Sequence, residues 1–173
     1  PQIPTVLSYH SDILRKHPFQ RIYMPFAHRL FQRVSAVIAS SPAYAASSEL
    51  LTRFGLLCHT IPYPVDIHRM QAVQNNEIAA AWKRHGRFVL FCGRLVHYKG
   101  IEYLVEAISQ LNDVRLVIAG RGPEQAKCRQ AIASLGLEDR VDLVGKIGDD
   151  ELKALYHACE CFVLPSISRA ESF

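Results

Sequence analysis

From Arg87 onward the chain alternates short apolar runs with amphipathic stretches, and that alternation limits the fold more than any other feature. Arg87 to Cys92, Val114 to Ala119, Val141 to Val144 and Cys161 to Leu164 read as strands; Val114 to Ala119 is the kind of run buried in a parallel sheet. Between them, Ile101, Leu104, Val105, Ile108 and Leu111 trace one helical face at spacings of three and four. Pro123 opens a second helix, with Cys128, Ala131, Ile132 and Leu135 facing inward and Gly136 at its end. Asp149 to Ala158 is the third helix. Four strands alternating with three helices require right-handed crossovers and a Rossmann-like parallel sheet.

The first half repeats the pattern less regularly. Thr5 to Tyr9 is a short strand, and Ile22, Phe26, Leu30 and Val34 recur at steps of four, near the helical period, in a stretch that Pro25 breaks or restarts. Ala36 to Ala39 is a strand, and Ser41-Pro42 opens a helix that runs to about Phe54 before Gly55. Leu56 to Ile61 is a further strand, stopped by Pro62-Tyr63-Pro64. The span from Asp66 to Gly86 is polar and reads as a linker, with a short helix over Glu77 to Arg84. The expected class is α/β, with a domain over 1–66, a linker over 67–86 and a second domain over 87–173.

At 173 residues, 49% hydrophobic and 21% charged, the chain is not disordered or fibrous. No apolar run approaches the ~18 residues of a membrane helix. Cys58, Cys92, Cys128, Cys159 and Cys161 are odd in number and mostly far apart, which reads as reduced thiols in a cytoplasmic protein. The net charge of +4 is uneven: between Ile13 and Ser48 there is no Asp or Glu, while Arg15, Lys16, Arg21, Arg29 and Arg33 contribute +5. That stretch reads either as a solvated basic face or as a contact for an anionic partner or membrane surface.

Ligands of open parallel sheets bind beyond the carboxyl ends of the strands. Gly93 follows a strand directly, Arg94 and Lys99 are five apart, and Lys99-Gly100 leads into a helix N-terminus. Two cations with the exposed N–H groups of that terminus suit a diphosphate; the competing reading is two solvated charges in a turn. Gly120-Arg121-Gly122-Pro123 resembles the start of a dinucleotide fingerprint, but Gln125 stands where the third glycine belongs, so a tight turn into a helix is the preferred reading. An NAD enzyme is disfavoured on the same ground. Glu171, after the last strand, could accept hydrogen bonds from sugar hydroxyls, and His10, after the first, could donate or accept one at a substrate. Taken alone, Glu171 reads as a surface charge and His10 as structural. Cys159-x-Cys161 lacks a second pair at zinc spacing, and no Gly-x-Ser-x-Gly elbow supports Ser-His-Asp catalysis.

The ordered set Phe91-Cys-Gly-Arg-Leu-Val-His-Tyr-Lys-Gly, Val117-Ile-Ala-Gly-Arg-Gly-Pro-Glu, Val141-Asp-Leu-Val-Gly-Lys-Ile and Pro165-Ser…Glu171-Ser-Phe resembles the retaining family 4 glycosyltransferases of the GT-B fold. Tyr9-His-Ser-Asp-Ile, Ile38-Ala-Ser-Ser-Pro and Ile61-Pro-Tyr-Pro-Val-Asp resemble the last part of that family's N-terminal domain. The resemblance implies two Rossmann-like domains, each with a parallel sheet and flanking helices, both incomplete in this stretch. It implies that Gly93, Arg94 and Lys99 bind the donor diphosphate, that Lys146-Ile147 meets the nucleotide base through its backbone, and that Glu171 and His10 face the donor sugar as catalytic-site residues.

The implied activity is transfer of a hexose-type sugar from a UDP- or GDP-sugar to a glycan or lipid-linked acceptor, with retention and without an obligate metal or other cofactor. Arg94 and Lys99 would then neutralise the leaving diphosphate in place of Mg²⁺. The setting implied is cytoplasmic synthesis of envelope polysaccharide or exopolysaccharide, peripheral at the inner face of the membrane through the basic segment 15–33, with no nucleic-acid partner. The second Glu of the family's Glu-x7-Glu motif would fall at 179, beyond Phe173, so the stretch reads as an internal fragment that would not transfer sugar by itself. A non-catalytic nucleotide- or sugar-binding module, or another GT-B enzyme such as an epimerase, is the competing expectation.

Overall fold

A computed structural model describes residues 3–12 and 18–168, which divide between Val65 and Asp66 into two compact units. The first contains β1 (Val6–Ser8), α1 (Pro18–Phe31), β2 (Ala36–Ala39), α2 (Pro42–Ser47), α3 (Glu49–Arg53) and β3 (Cys58–Thr60). Its sheet has the order β1-β2-β3, all parallel, with Val6 opposite Ala36 and Val37 opposite Cys58. The second contains α4 (Ile67–Gln71), α5 (Asn75–His85), β4 (Phe88–Cys92), α6 (Ile101–Ser109), β5 (Arg115–Ala119), α7 (Gln125–Ser134), β6 (Val141–Gly145), α8 (Asp149–Ala158) and β7 (Cys161–Phe162). Its sheet has the order β6-β5-β4-β7, again all parallel.

The period-two geometry of the strands sorts the second core into two layers. Phe91, Leu116 and Ile118 face α6 and α7, where Ile101, Leu104, Val105, Ile108, Cys128 and Ile132 are buried. Phe88, Leu90 and Val117 face α5 and α8, packing on Ala81, Leu155 and Ala158. The inward faces read from sequence hold except at Leu111 and Leu135, which lie just past the ends of α6 and α7 and are largely exposed.

The stretch 67–86 is not an open linker. It forms α4 and α5 and belongs to the second unit. Asp66 caps α4 by accepting from the Arg69 N–H at 2.9 Å, and Glu77 accepts from the Gln74 N–H at the start of α5. Arg69 pairs with Asp149, while Lys153 and His157 bond the Ala72 and Met70 carbonyls, which ties α4 to α8. At the far end of α5, His85 is buried and its Nδ1 lies 2.8 Å from Asp142 on β6, which also pairs with Arg115.

In the first unit two expectations are corrected. The segment from Pro42 is two helices rather than one, broken at Ser48. This buried serine caps α3 by accepting from the Leu51 N–H and donates to Asp12 at 2.8 Å. The helix α1 runs through Pro25 without interruption; Ala27, Phe31 and, past the helix end, Val34 enter the core, whereas Ile22, Phe26 and Leu30 of the four-step stripe are 61%, 62% and 47% exposed. Both stripes have helical spacing. The sheet selects the one that brings the Phe31 ring edge-on to Tyr9, at 5.3 Å between centroids, and against Phe54 at 5.2 Å.

Candidate functional site

The carboxyl ends of β4, β5 and β6 carry three loops that are joined through their backbones. Gly93 donates to the Ala119 carbonyl at 3.0 Å, Gly120 to the Gly145 carbonyl at 2.7 Å, Leu95 to the Arg121 carbonyl at 3.0 Å, and Glu124 to the Leu95 carbonyl at 3.0 Å. The glycines make this closeness available. A β-carbon on Gly120 would stand 1.9 Å from the Gly93 carbonyl oxygen, and one on Gly122 would stand 2.1 Å from that of Leu95. Gly120-Arg121-Gly122 is therefore part of the same surface as Gly93 to Leu95, and not merely a turn into the next helix. The segment after β7 joins it: Ile167 donates to the Tyr98 carbonyl at 2.9 Å, and Gly100, at φ +65°, leaves room for the Pro165 carbonyl.

Five of the expected residues of the second unit, Gly93, Arg94, Lys99, Lys146 and Ile147, lie on this edge. Lys99 closes a 3₁₀ turn over His97–Lys99, and its side chain folds back so that Cε lies 3.9 Å from where a Gly93 β-carbon would stand. Arg94, next to Gly93 in the chain, is exposed and forms no ion pair among the described residues. The first turn of α6 follows directly, with Gly100 at its N-terminal boundary. Cations next to free helix N–H groups are an arrangement for a phosphate-bearing ligand. Lys146 is exposed one residue past Gly145, while the Ile147 side chain packs into the α5–α8 core, leaving its backbone as the part that can meet a ligand. Behind the loops, burial pushes the Tyr156 phenol up to about 12; it also raises the Cys92 thiol, against the lowering influence of the Tyr156 hydrogen bond and Lys99.

His10 lies in the first unit, two residues past β1. Tyr9 turns inward, is buried, and donates its hydroxyl to Asp12 at 3.0 Å; burial first, and then the Asp12 charge, raises its pKa. His10 is consequently outward. Its Nδ1 is hydrogen-bonded with the Tyr63 hydroxyl, its Nε2 lies 3.3 Å from the Ser8 hydroxyl, and the His10 and Tyr63 rings stack at 5.5 Å and 25°. Glu171 lies outside the described residues. Two neighbours of the expected residues do not stand out in the sequence: Tyr63 at His10, and Arg121 at Gly145. Tyr63 was legible only as part of a strand stop. Arg121 was hidden in an imperfect glycine fingerprint, although a single arginine between two glycines directly after a buried strand was the signal that pointed to it.

Residues 74–173 match the family described as Glycosyl transferases group 1, and the chain belongs to that family. It is 32% identical over its whole length to an O-antigen chain mannosyltransferase C of Escherichia coli, and 33% identical over 98% of its length to the D-rhamnosyltransferase WbpZ of Pseudomonas aeruginosa. It spans about half the length of these curated relatives, 46% and 44% respectively. Among solved structures, the Anabaena protein Alr3699/HepE in complex with UDP superposes with a TM-score of 0.80 at 26% identity, over 95% of this chain and 47% of that one. A sucrose-phosphate synthase from Thermosynechococcus elongatus shares the fold, with a TM-score of 0.75 at 24% identity over 97% of this chain and 45% of that one. The α/β fold, with parallel sheets flanked by helices, is that of the GT-B glycosyltransferases.

Proposed function

We propose that the full-length protein is a retaining family 4 glycosyltransferase that moves a hexose-type sugar from a UDP- or GDP-sugar to a glycan or lipid-linked acceptor, in envelope polysaccharide or exopolysaccharide synthesis. The observation that carries the reading is Lys99 folded back onto Gly93 beside Arg94, at the edge where the three strand-end loops are joined. The O-antigen mannosyltransferase and the UDP-bound HepE support it by similarity.

In this reading the diphosphate lies against Arg94, Lys99 and the first N–H groups of α6. As the bond between the sugar and the diphosphate oxygen breaks, negative charge grows on that oxygen, and the two cations stabilise it from positions they already hold. They thereby do what a metal would otherwise do, and no obligate metal is needed. Lys146 and the Ile147 backbone meet the base, and His10 and Glu171 take the catalytic roles that the family resemblance implies. Incubation with UDP- and GDP-hexoses and an acceptor, followed by NMR of the product's anomeric proton, tests the proposal: transfer with the donor's own configuration is expected, and inversion or hydrolysis alone would overturn it.

The setting proposed is the cytoplasmic face of a membrane. Among the described residues no helix is long and apolar enough to cross a bilayer. On α1, exposed Ile22, Phe26 and Leu30 share the helix with exposed Arg29, and exposed Arg33 follows two residues past its end, all within the stretch of the chain that lacks Asp and Glu. Apolar side chains flanked by cations suit the headgroup region of an anionic bilayer. Arg15 and Lys16 lie outside the described residues.

A further inference from the structure

Gly120-Arg121-Gly122 leaves its one side chain little choice of position. The flanking glycines press the backbone onto Gly93 and Leu95, and the Arg121 carbonyl accepts the Leu95 N–H, so the Arg121 Cα is fixed on the binding edge. From there the side chain reaches to the third loop: Nε lies 3.6 Å and Nη2 3.9 Å from where a Gly145 β-carbon would stand. Gly145 has φ +74° and directly precedes Lys146-Ile147. The guanidinium is exposed, and it forms no hydrogen bond or ion pair among the described residues. An arginine that reaches a glycine at a ligand edge, with no acidic partner among the described residues, has its fork of N–H donors available to a ligand.

We propose that Arg121 reads the nucleotide base, donating hydrogen bonds to its carbonyl oxygens and so favouring uracil and guanine over adenine. This rests on the donor-site reading above, which puts the phosphates at Arg94 and Lys99 and the base at Lys146-Ile147. The chemistry follows from the donor set. A guanidinium supplies only donors; uracil and guanine present carbonyl acceptors on their edges, and adenine presents an amino donor with ring nitrogens in their place. A lysine at this position would keep the charge but not the planar fork. Gly145 serves the contact by having no side chain to hold the guanidinium off the loop.

Calorimetric titration of the full-length protein with UDP, GDP, ADP and inorganic pyrophosphate, repeated with Arg121→Ala and Arg121→Lys, tests this. Arg121→Ala is expected to weaken UDP or GDP, whichever the wild type binds more tightly, by about tenfold or more, the scale of losing charge-assisted hydrogen bonds. ADP and pyrophosphate should stay within twofold, and Arg121→Lys should resemble Arg121→Ala. Equal losses for all four probes, or full recovery by lysine, would make Arg121 a phosphate-side charge and overturn the base-reading role. Unchanged binding of every probe, with an unchanged melting temperature, would also overturn it. A wild-type protein that bound none of the four would instead overturn the donor-site reading itself.

Discussion

Gly120 and Gly93 touch backbone to backbone at the ends of two neighbouring strands, so closely that a β-carbon on Gly120 would stand 1.9 Å from the Gly93 carbonyl oxygen. Gly120 also sits at φ +139°, a conformation that side chains resist. Gly120→Ala should therefore cost at least about 2 kcal/mol of stability, from strain and forced separation of the loops. Gly136, at φ +63° with open space around it, should cost about 1–2 kcal/mol when changed to Ala, since only the left-handed backbone resists it. Gly55→Ala, with neither constraint, should stay within about 0.5 kcal/mol. Urea denaturation of the three variants checks the order; a Gly120→Ala variant as stable as Gly55→Ala would contradict the close approach.

The exposed stripe of α1 gives a test with two separable parts. Co-sedimentation with vesicles containing anionic lipid is expected, falling with salt because each cation near the surface contributes on the order of 1 kcal/mol. Arg29→Glu with Arg33→Glu should abolish the preference for anionic over neutral vesicles. Phe26→Ser with Leu30→Ser should weaken binding to anionic vesicles at high salt, where only apolar burial remains. Equal binding to both vesicle types, or none to either, would remove the membrane contact and leave an ordinary solvated basic face.

Thiol reactivity should follow burial. The thiolate is the nucleophile, so a raised pKa reduces the reactive fraction near pH 8. Cys128 is buried between α7 and the sheet, and burial pushes its thiol up to about 11 despite nearby Arg129; Cys58, Cys92 and Cys159 are raised by the same cause. Cys161 is exposed. Alkylation with iodoacetamide at pH 8, mapped by mass spectrometry, should modify Cys161 first and Cys128 only on unfolding. Native-state labelling of Cys128 at the rate of Cys161 would contradict the packing of α7.

The second sheet was legible in the sequence because each of its runs has one interpretation: Leu116 to Ala119 is apolar on both faces, and Ile101, Leu104, Val105 and Ile108 fit only a helix buried on one side. The first unit was harder for a definite reason. In α1, Ile22-Phe26-Leu30 and Ala27-Phe31 are both four-step stripes, and only contact with Tyr9 and Phe54 selects the second. The break at Ser48 was hidden because serine is tolerated within a helix as well as at a cap, and the Asp12 hydrogen bond that favours the cap comes from 36 residues away. The polar composition of 67–86 suggests a linker with one short helix; that helix is α5, whereas α4 is held to α8 by Arg69, Lys153 and His157, which no local pattern reveals.

The strand, glycine and helix start that fall in order around Arg94 and Lys99 were legible in the sequence, and the structure has them. The roles given to Lys146, Ile147, His10 and Glu171 came from the family resemblance. Arg121 does not stand out in the sequence because a fingerprint short of one glycine is weak by itself, and the Gly145 it reaches comes 24 residues later in the chain.

The most direct measurement is kcat/KM for sugar transfer from the preferred nucleotide sugar by full-length Lys99→Ala, Arg94→Ala and the double variant. Each single change should lower kcat/KM by about 10²-fold or more, the scale of losing one preorganised donor to a developing oxyanion. The double variant should lose less than the product of the two, because both cations face one diphosphate. Single variants with unchanged melting temperatures and activity within threefold of wild type would contradict the assignment of this edge to the donor phosphates.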